Sequence, residues 1–216
     1  MDKPPFYERL AKAFPGVQAI YNHFKKRRYK YLYDSIRTNR SKKILEIGLW
    51  DGAHALKMIK TAKHLHGNAV EYYGFDLFEE MNDDTHKHEA SKYPLSLENI
   101  KIKLERTGCH ISLFKGYSQN TLPQAVPELP KMDLIFIDGG HSLETIASDW
   151  KYCELLMHEK TVVIFDDYWN RDDVGCKTII EKIDRNKYNV EILPIQDRFN
   201  KDWGTLKINF VQVTKA

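Results

Sequence analysis

Three aspartates at the ends of two apolar segments are the residues of this chain best suited to chemistry. MDLIFID ends at Asp138 and TVVIFDD ends at Asp166 and Asp167, about 28 residues further on. The segments are rich in β-branched residues and a helical pattern separates them, which predicts two neighbouring parallel strands of a βαβ unit. Carboxylates at the carboxyl ends of such strands point into one crevice.

Like charges in one crevice repel one another. At least one of the three carboxyl groups should therefore hold a proton, unless a cation lies among them. Carboxylate oxygens are hard ligands, so the pattern favours Mg²⁺, with Ca²⁺ or Mn²⁺ as alternatives. We interpret Asp138, Asp166 and Asp167 as a metal site and the chain as an enzyme. Ordinary turn and helix-capping roles for the aspartates are the competing interpretation.

Two other strand ends carry signals of their own. After the first predicted strand, Gly48 and Gly52 form a G-x-x-x-G turn in which Trp50 takes the place of the middle glycine of a dinucleotide-binding loop. That glycine lets the backbone approach a pyrophosphate, so Trp50 argues against such a ligand and against a nicotinamide dehydrogenase. Asp76 ends the second strand and is suited to bind two ribose hydroxyls, although it could also cap the next helix.

The elements that must position these residues alternate along the chain. The patterns predict strands over 42–48, 71–76, 110–116, 132–138, 161–166, 188–194 and 205–213. They predict helices over 6–37 (broken near Pro15), 52–64, 96–108, 117–126, 141–157 and 175–186. This order predicts a mainly parallel α/β sheet in three layers whose last two strands form an antiparallel hairpin. The polar stretch 77–95 is expected to be a lid or binding loop.

Composition sets the frame for these interpretations. The 216 residues predict one large domain, and a net charge of +3 is too balanced to indicate nucleic acid by itself. Three cysteines without C-x-x-C spacing, no signal peptide and no apolar membrane span lead us to expect a cytoplasmic protein. The basic run KKRRYK at 25–30 could contact RNA, but a solvated helix face is the simpler interpretation.

The motifs ILEIGLWDG, YYGFD, GYSQNTLP, DLIFIDGGHS and VVIFDDYW occur in that order over about 42–170. In this order they resemble the class I S-adenosylmethionine-dependent methyltransferases. They are most similar to the metal-dependent O-methyltransferases of the catechol and macrolide-sugar types. The resemblance implies a three-layer Rossmann-like methyltransferase fold with a mainly parallel seven-stranded sheet and a C-terminal antiparallel hairpin. We expect a class I methyltransferase domain over 41–216, preceded by an N-terminal helical extension over 1–40 that serves as a substrate cap or an oligomer contact.

The resemblance assigns roles by position. In this family the glycine turn packs against the methionine part of the cofactor, the acid before it holds the cofactor amino group, and the acid after the second strand binds the ribose. The positions that match cofactor-binding residues are Glu46, Gly48, Trp50, Gly52, Asp76, Leu77, Ser118, Gln119 and Asp138. Asp138, Asp166 and Asp167 match the metal ligands, Asp138 and His141 the catalytic positions, with His141 as general base.

Two positions depart from the family pattern. His54 replaces a small hydroxyl residue and Tyr117 replaces an acidic residue, so the contacts of the cofactor carboxylate and adenine stay open. We expect Mg²⁺-dependent methylation of a small hydroxylated acceptor such as a phenol, catechol or sugar, with a homodimer as an option. A metal-independent methyltransferase, including one for RNA, and a non-catalytic cofactor-binding module are the alternatives. Tyr168, Trp169 and Trp203 are candidates for the acceptor pocket wall.

Overall fold

The computed structural model describes residues 28–90 and 92–216. Its helices are α1 (Arg28–Asn39), α2 (Ala53–His66), α3 (Asp83–Glu89), α4 (Leu97–Glu105), α5 (Ser118–Ala125), α6 (Leu143–Leu155) and α7 (Lys177–Glu181). Its strands are β1 (Lys43–Ile47), β2 (Glu71–Asp76), β3 (His110–Lys115), β4 (Met132–Ile137), β5 (Met157–Trp169), β6 (Tyr188–Lys201) and β7 (Gly204–Lys215).

All seven strands form one sheet in the order β3-β2-β1-β4-β5-β7-β6. The first five strands pair in parallel, because a crossover segment that contains a helix returns the chain to the same end of the sheet after each strand. The last two strands run antiparallel to their neighbours and form the predicted hairpin. The predicted fold class, a mainly parallel α/β sheet with a C-terminal hairpin, is therefore confirmed.

Helices cover both faces of the sheet. On one face, Ile44 and Phe136 pack with Leu32 and Ile36 of α1 and with Met58 of α2. On the other face, side chains of alternate positions in β1 and β4 pack against α6 and the end of α7. Side chains alternate between the two faces along a strand. A strand covered on both faces therefore carries apolar residues at successive positions, and this pattern predicts β1, β4 and β5.

Several boundaries differ from the sequence-based expectation. The strands β6 and β7 extend as a two-stranded arm in which Gln196–Lys201 pair with Gly204–Asn209. The β7 half lies within the predicted strand 205–213, but the β6 half is polar apart from Phe199 and has no hydrophobic alternation to predict it. The segment 77–95 is not a plain loop, because Asn82 accepts a hydrogen bond from the Thr85 amide and begins α3. Gly108 adopts a left-handed φ of +69°, but α4 ends earlier, at Glu105.

The predicted N-terminal extension lies mostly outside the described residues. Its described part, α1, is a helix whose Leu32, Tyr33 and Ile36 are buried against the sheet. Among the described helices, none is both long and apolar enough to cross a membrane. The three cysteines are free thiols.

Candidate active site

The turn between β1 and α2 forms one wall of the crevice. Gly48 has a φ of +87°, and a Cβ built there would lie 2.0 Å from the carbonyl oxygen of Asp138. Gly52 also has a positive φ, of +66°, and a Cβ there would press on Ile100 at 2.9 Å. Both positions therefore require glycine, and the β1 turn touches the end of β4 directly.

Asp76 organises this turn. Its carboxylate accepts hydrogen bonds from the backbone amides of Leu49 at 2.6 Å, Trp50 at 3.0 Å and Phe78 at 3.0 Å. Trp50 adopts a φ of +50°, a conformation that non-glycine residues rarely take. Its indole lies half-exposed below the Lys92 ammonium, 3.5 Å from the ring centre. Leu77 follows Asp76 and precedes a short turn, Phe78–Glu80.

Glu46 lies behind the turn and is 1% exposed. The phenol of Tyr72, on the neighbouring strand, donates a hydrogen bond to the Glu46 carboxyl group. Burial raises the pKa of Glu46 to about 8, so this group carries a proton in much of the physiological pH range. The structure places Glu46 on the face of the sheet covered by α1.

Ser118 and Gln119 stand at the start of α5, beside the end of β3. The Gln119 amide donates to the Thr145 hydroxyl at 2.7 Å, and that hydroxyl donates to the Glu89 carboxylate at 3.2 Å. Glu89 also accepts from the Ser142 amide at 3.0 Å, and its carbonyl accepts from the His141 amide at 3.2 Å. The segment 77–95 is thus attached to the start of α6 through Glu89.

A β-bulge brings the aspartates together. In a regular strand Asp166 and Asp167 would point to opposite faces, but the pairing of β5 with β7 shifts register between Phe165 and Tyr168. Asp167 takes a left-handed φ of +58° at this bulge. One carboxylate oxygen from each of Asp138, Asp166 and Asp167 consequently lies within 4.8 Å of the others. The predicted cluster is therefore present as a geometric unit.

His141 approaches the same cluster. Its Nε2 lies 3.2 Å from Oδ2 of Asp167, while the indole of Trp169 donates to Oδ1 of that residue at 2.9 Å. Burial alone would lower the pKa of His141, but the hydrogen bond with Asp167 and its charge raise it. Burial would raise the carboxyl pKa of Asp167, but the hydrogen bonds from His141 and Trp169, together with the charges of His141 and Arg28, lower it. Burial and the charge of Asp167 raise the pKa of Asp138 well above its usual range.

Asp166 has partners that the sequence did not indicate. The Arg28 guanidinium donates to its Oδ1, and the Tyr29 hydroxyl donates to its Oδ2 at 3.1 Å. Arg28 is only 6% exposed, so this part of the KKRRYK run is not the solvated helix face that we expected. Tyr29 also stacks on His54 with ring centres 3.8 Å apart, and the Tyr33 hydroxyl lies 2.7 Å from Nδ1 of His54.

The predicted residues therefore form two adjoining groups. Glu46, Gly48, Trp50, Gly52, Asp76 and Leu77 gather at the ends of β1 and β2, with Ser118 and Gln119 near the end of β3. The three aspartates and His141 gather at the ends of β4 and β5. Of the predicted pocket aromatics, Trp169 reaches this group. Trp203 lies far along the hairpin arm, 54% exposed, with the Arg171 guanidinium 5.3 Å from its ring centre.

Sequence reasoning missed three residues of the site, Arg28, Tyr29 and Glu89. Each contacts a site residue 52 or more positions away, so no local spacing could have placed them. The available signals were weak. Arg28 and Tyr29 stand in a basic, tyrosine-rich helix, and Glu89 in a polar segment of the length typical of lids.

Comparisons with known proteins agree with this architecture. A family model described as a methyltransferase domain matches residues 45–168, which is more than half of the chain. No curated protein matches the sequence.

Solved structures with little sequence identity share the fold. An O-methyltransferase from Bacillus cereus in complex with SAH has a TM-score of 0.62 and 16% identity, over 88% of this chain and 81% of that chain. The O-methyltransferase TomG from Streptomyces achromogenes, involved in tomaymycin synthesis and in complex with SAM, has a TM-score of 0.59 and 15% identity, over 86% and 78%. A precorrin-6y C5,15-methyltransferase from Geobacter metallireducens has a TM-score of 0.52 and 14% identity, over 85% of both chains.

These structures share the class I methyltransferase fold but differ in what their names say they methylate, so the fold alone does not define the acceptor. The family model covers the glycine turn, Asp76, the aspartate cluster and His141 within one continuous match. The resemblance seen in the sequence is confirmed at the level of fold and family. The chain belongs to the methyltransferase domain family.

Proposed function

We propose that this chain transfers the methyl group of S-adenosylmethionine to a hydroxyl of a small molecule, a phenol, catechol or sugar. One observation carries the proposal: the Gly48 turn lies against the Asp138 carbonyl, so the turn and the aspartate cluster line one crevice. A donor bound at the turn would present its methyl group towards the cluster. The O-methyltransferases of Bacillus cereus and Streptomyces achromogenes, solved with SAH and SAM, support the choice of donor.

We assign the ends of β1 to β3 to binding of the methyl donor. Gly48 and Gly52 present no side chain at the two ends of the turn, and Asp76 holds the turn amides in place. We assign ribose binding to Asp76, whose carboxylate is held at the crevice by backbone amides of both adjacent turns. We assign adenine recognition to Ser118 and Gln119, and the Gln119 amide is held beside the crevice by Thr145.

The ends of β4 and β5 are assigned to the acceptor. Methyl transfer requires the acceptor oxygen to be in line with the sulfonium and to lose its proton. His141 is the proposed proton acceptor, because its imidazole faces the cluster and Asp167 fixes its orientation. Trp169 holds the second oxygen of Asp167 and completes this support.

The chemistry of the donor set fits a hard divalent cation such as Mg²⁺. Asp138, Asp166 and Asp167 would hold the cation, since their oxygens lie within 4.8 Å of one another. A cation bound there would lower the pKa of a coordinated acceptor hydroxyl. Metal-independent transfer is the second candidate, favoured by the hydrogen bonds that Arg28 and Tyr29 already make to Asp166.

The test is a methyl-transfer assay with radiolabelled S-adenosylmethionine against a panel of catechols, flavonoids, sugar nucleotides and an RNA transcript. We expect label on at least one small hydroxylated acceptor, loss of turnover in EDTA, and recovery on adding Mg²⁺. Full turnover in EDTA would instead support the metal-independent candidate. Label on the RNA alone would contradict the proposed acceptor class.

The role of His141 is tested by His141→Gln. Loss of a general base lowers kcat by about 10²–10⁴-fold, whereas donor affinity measured by calorimetry should stay within about twofold. His88→Gln is the matched control, because His88 is exposed and its imidazole interacts with Asp84 of the preceding turn of α3, away from the aspartate cluster. Equal activity of the two variants would remove His141 from the mechanism.

A further inference from the structure

Arg28, the first described residue of α1, is a buried cation inside the aspartate cluster. Its guanidinium donates to Asp166, and its Nε donates to Asp197 of β6 at 3.0 Å. The aromatic ring of Phe210 lies 4.7 Å from the guanidinium carbon and that of Tyr29 lies 5.2 Å away. Two carboxylates and two rings thus hold Arg28 in a fixed position.

Both carboxylate oxygens of Asp166 already accept hydrogen bonds. Oδ1 accepts from Arg28 and from the Asp167 amide at 2.5 Å, and Oδ2 accepts from the Tyr29 hydroxyl at 3.1 Å. Asp167 is similarly engaged, by His141 and Trp169. A cation that used all three aspartates would have to replace donors that the protein itself supplies.

The charges lead to the same conclusion. The Arg28 guanidinium forms an ion pair with Asp166 and offsets the charge of that carboxylate. The residual negative charge that would attract a dication is therefore smaller while Arg28 is in place. A guanidinium and a metal ion also cannot occupy the same side of Asp166, because both need direct contact with its oxygens.

We propose that Arg28 and a divalent cation compete for Asp166, so that Arg28 acts as a built-in counter-ion that limits metal binding at this cluster. When the cation takes Asp166, Arg28 keeps its contact with Asp197, which spares it the cost of a buried unpaired charge. The inference rests on the metal component of the proposed function. It adds that a residue of α1, which is not itself a proposed metal ligand, determines how tightly the metal binds.

The experiment measures Mn²⁺ binding to the cofactor-free protein from the electron paramagnetic resonance signal of free Mn²⁺. Arg28→Met should bind Mn²⁺ at least tenfold more tightly than the wild type. Arg37→Met is the matched control, because Arg37 lies on the same helix but is exposed, and among the described residues it pairs with Asp34 alone. Its affinity should stay within about twofold of the wild type, since exposed charges are well screened.

A double variant tests whether the gain passes through Asp166. Adding Asp166→Asn to Arg28→Met should abolish the tighter binding, because the released carboxylate is then missing. If Arg28→Met does not fold, Arg28→Gln replaces it, since the amide removes the charge and keeps a donor for the carboxylates. We expect the same direction of change for Arg28→Gln.

Three outcomes would overturn the competition. They are an unchanged or weaker affinity in both Arg28 variants, a gain that survives Asp166→Asn, and an equal gain in Arg37→Met. Absence of Mn²⁺ binding in every variant would also overturn it. Methyl transfer in EDTA is assayed separately, so failure of this inference is distinguishable from failure of the proposed methyltransferase activity.

Discussion

In the two groups of residues that line the crevice, the carboxylates accept hydrogen bonds from different kinds of donor. At the ends of β1 and β2, Asp76 accepts backbone amides of the adjacent turns and Glu46 pairs with Tyr72 on the neighbouring strand. At the ends of β4 and β5, Asp166 is bound by side chains of α1, from Arg28 and Tyr29. The first group depends on neighbouring turns and strands, and the second on the docking of a distant helix.

This difference indicates where each group tolerates change. Backbone amides are fixed once the sheet and its turns have formed, so the fold itself builds the side of the crevice that is assigned to the methyl donor. Side chains that donate hydrogen bonds can rotate away or be replaced by a ligand at a smaller structural cost. The acceptor side is therefore the part of the crevice where a cation, a substrate or α1 can alter the local charge.

The largest expected effect separates the two groups kinetically. Asp167→Asn should lower kcat by about 10³-fold, because His141 loses its charged partner, while the donor dissociation constant changes little. Asparagine also tolerates the left-handed φ of Asp167.

Asp76→Asn should have the opposite effect. It should weaken binding of the methyl donor by about tenfold and leave kcat nearly unchanged, because an amide group would face a backbone N–H. Steady-state kinetics and calorimetry measure both.

The matched control for Asp167→Asn is Asp173→Asn, an exposed carboxylate that pairs with Arg171. It should behave as the wild type. A shared loss of donor affinity in Asp167→Asn and Asp76→Asn would erase the distinction between the two groups.

The contact between the two groups can be tested through stability. Gly48→Ala would place a Cβ 2.0 Å from the Asp138 carbonyl, and we expect a loss of roughly 4 kcal/mol in the free energy of unfolding. Gly67→Ala is the control, because Gly67 also has a positive φ, of +60°, but a Cβ there meets nothing within 4 Å. It should cost about 2 kcal/mol, from backbone strain alone. Urea unfolding of both variants measures the difference, and equal costs would mean that the turn does not press on β4.

A smaller effect concerns pH on the donor side. The pKa of Glu46 is raised by burial from 4.5 to about 8, so the folded protein holds this proton more tightly than the unfolded chain does. The resulting stabilisation is complete below the unfolded pKa and is lost as the pH rises through about 8. We expect the wild type to lose on the order of 3 kcal/mol relative to Glu46→Gln across this window.

Urea unfolding of the cofactor-free protein at several pH values measures this slope. Glu159→Gln, an exposed glutamate paired with Lys215, is the control and should follow the wild type. Parallel slopes for the wild type and Glu46→Gln would show that Glu46 titrates alike in both states.

Much of the fold could be predicted because its signals are local. Short segments rich in apolar residues identified β1, β2, β3 and β4 within one or two residues, since strands of a sheet covered by helices pack apolar side chains against them. The β6 half of the hairpin arm and α3 were not predicted, because their residues are mostly polar. Main-chain hydrogen bonds and a cap at Asn82 hold them, and neither leaves a hydrophobic period in the sequence.

By itself, the sequence determined the alternation of strands and helices, the glycine turn, and the placement of Asp76, Asp138, Asp166, Asp167 and His141 at strand ends. Each of these follows from a short segment whose geometry is nearly independent of the rest of the chain. Only the tertiary structure decided that a bulge turns Asp166 and Asp167 towards one point, and that Arg28 meets Asp166 across 138 positions. Such contacts depend on where α1 docks on the sheet, and packing of the whole domain fixes that position rather than any local pattern.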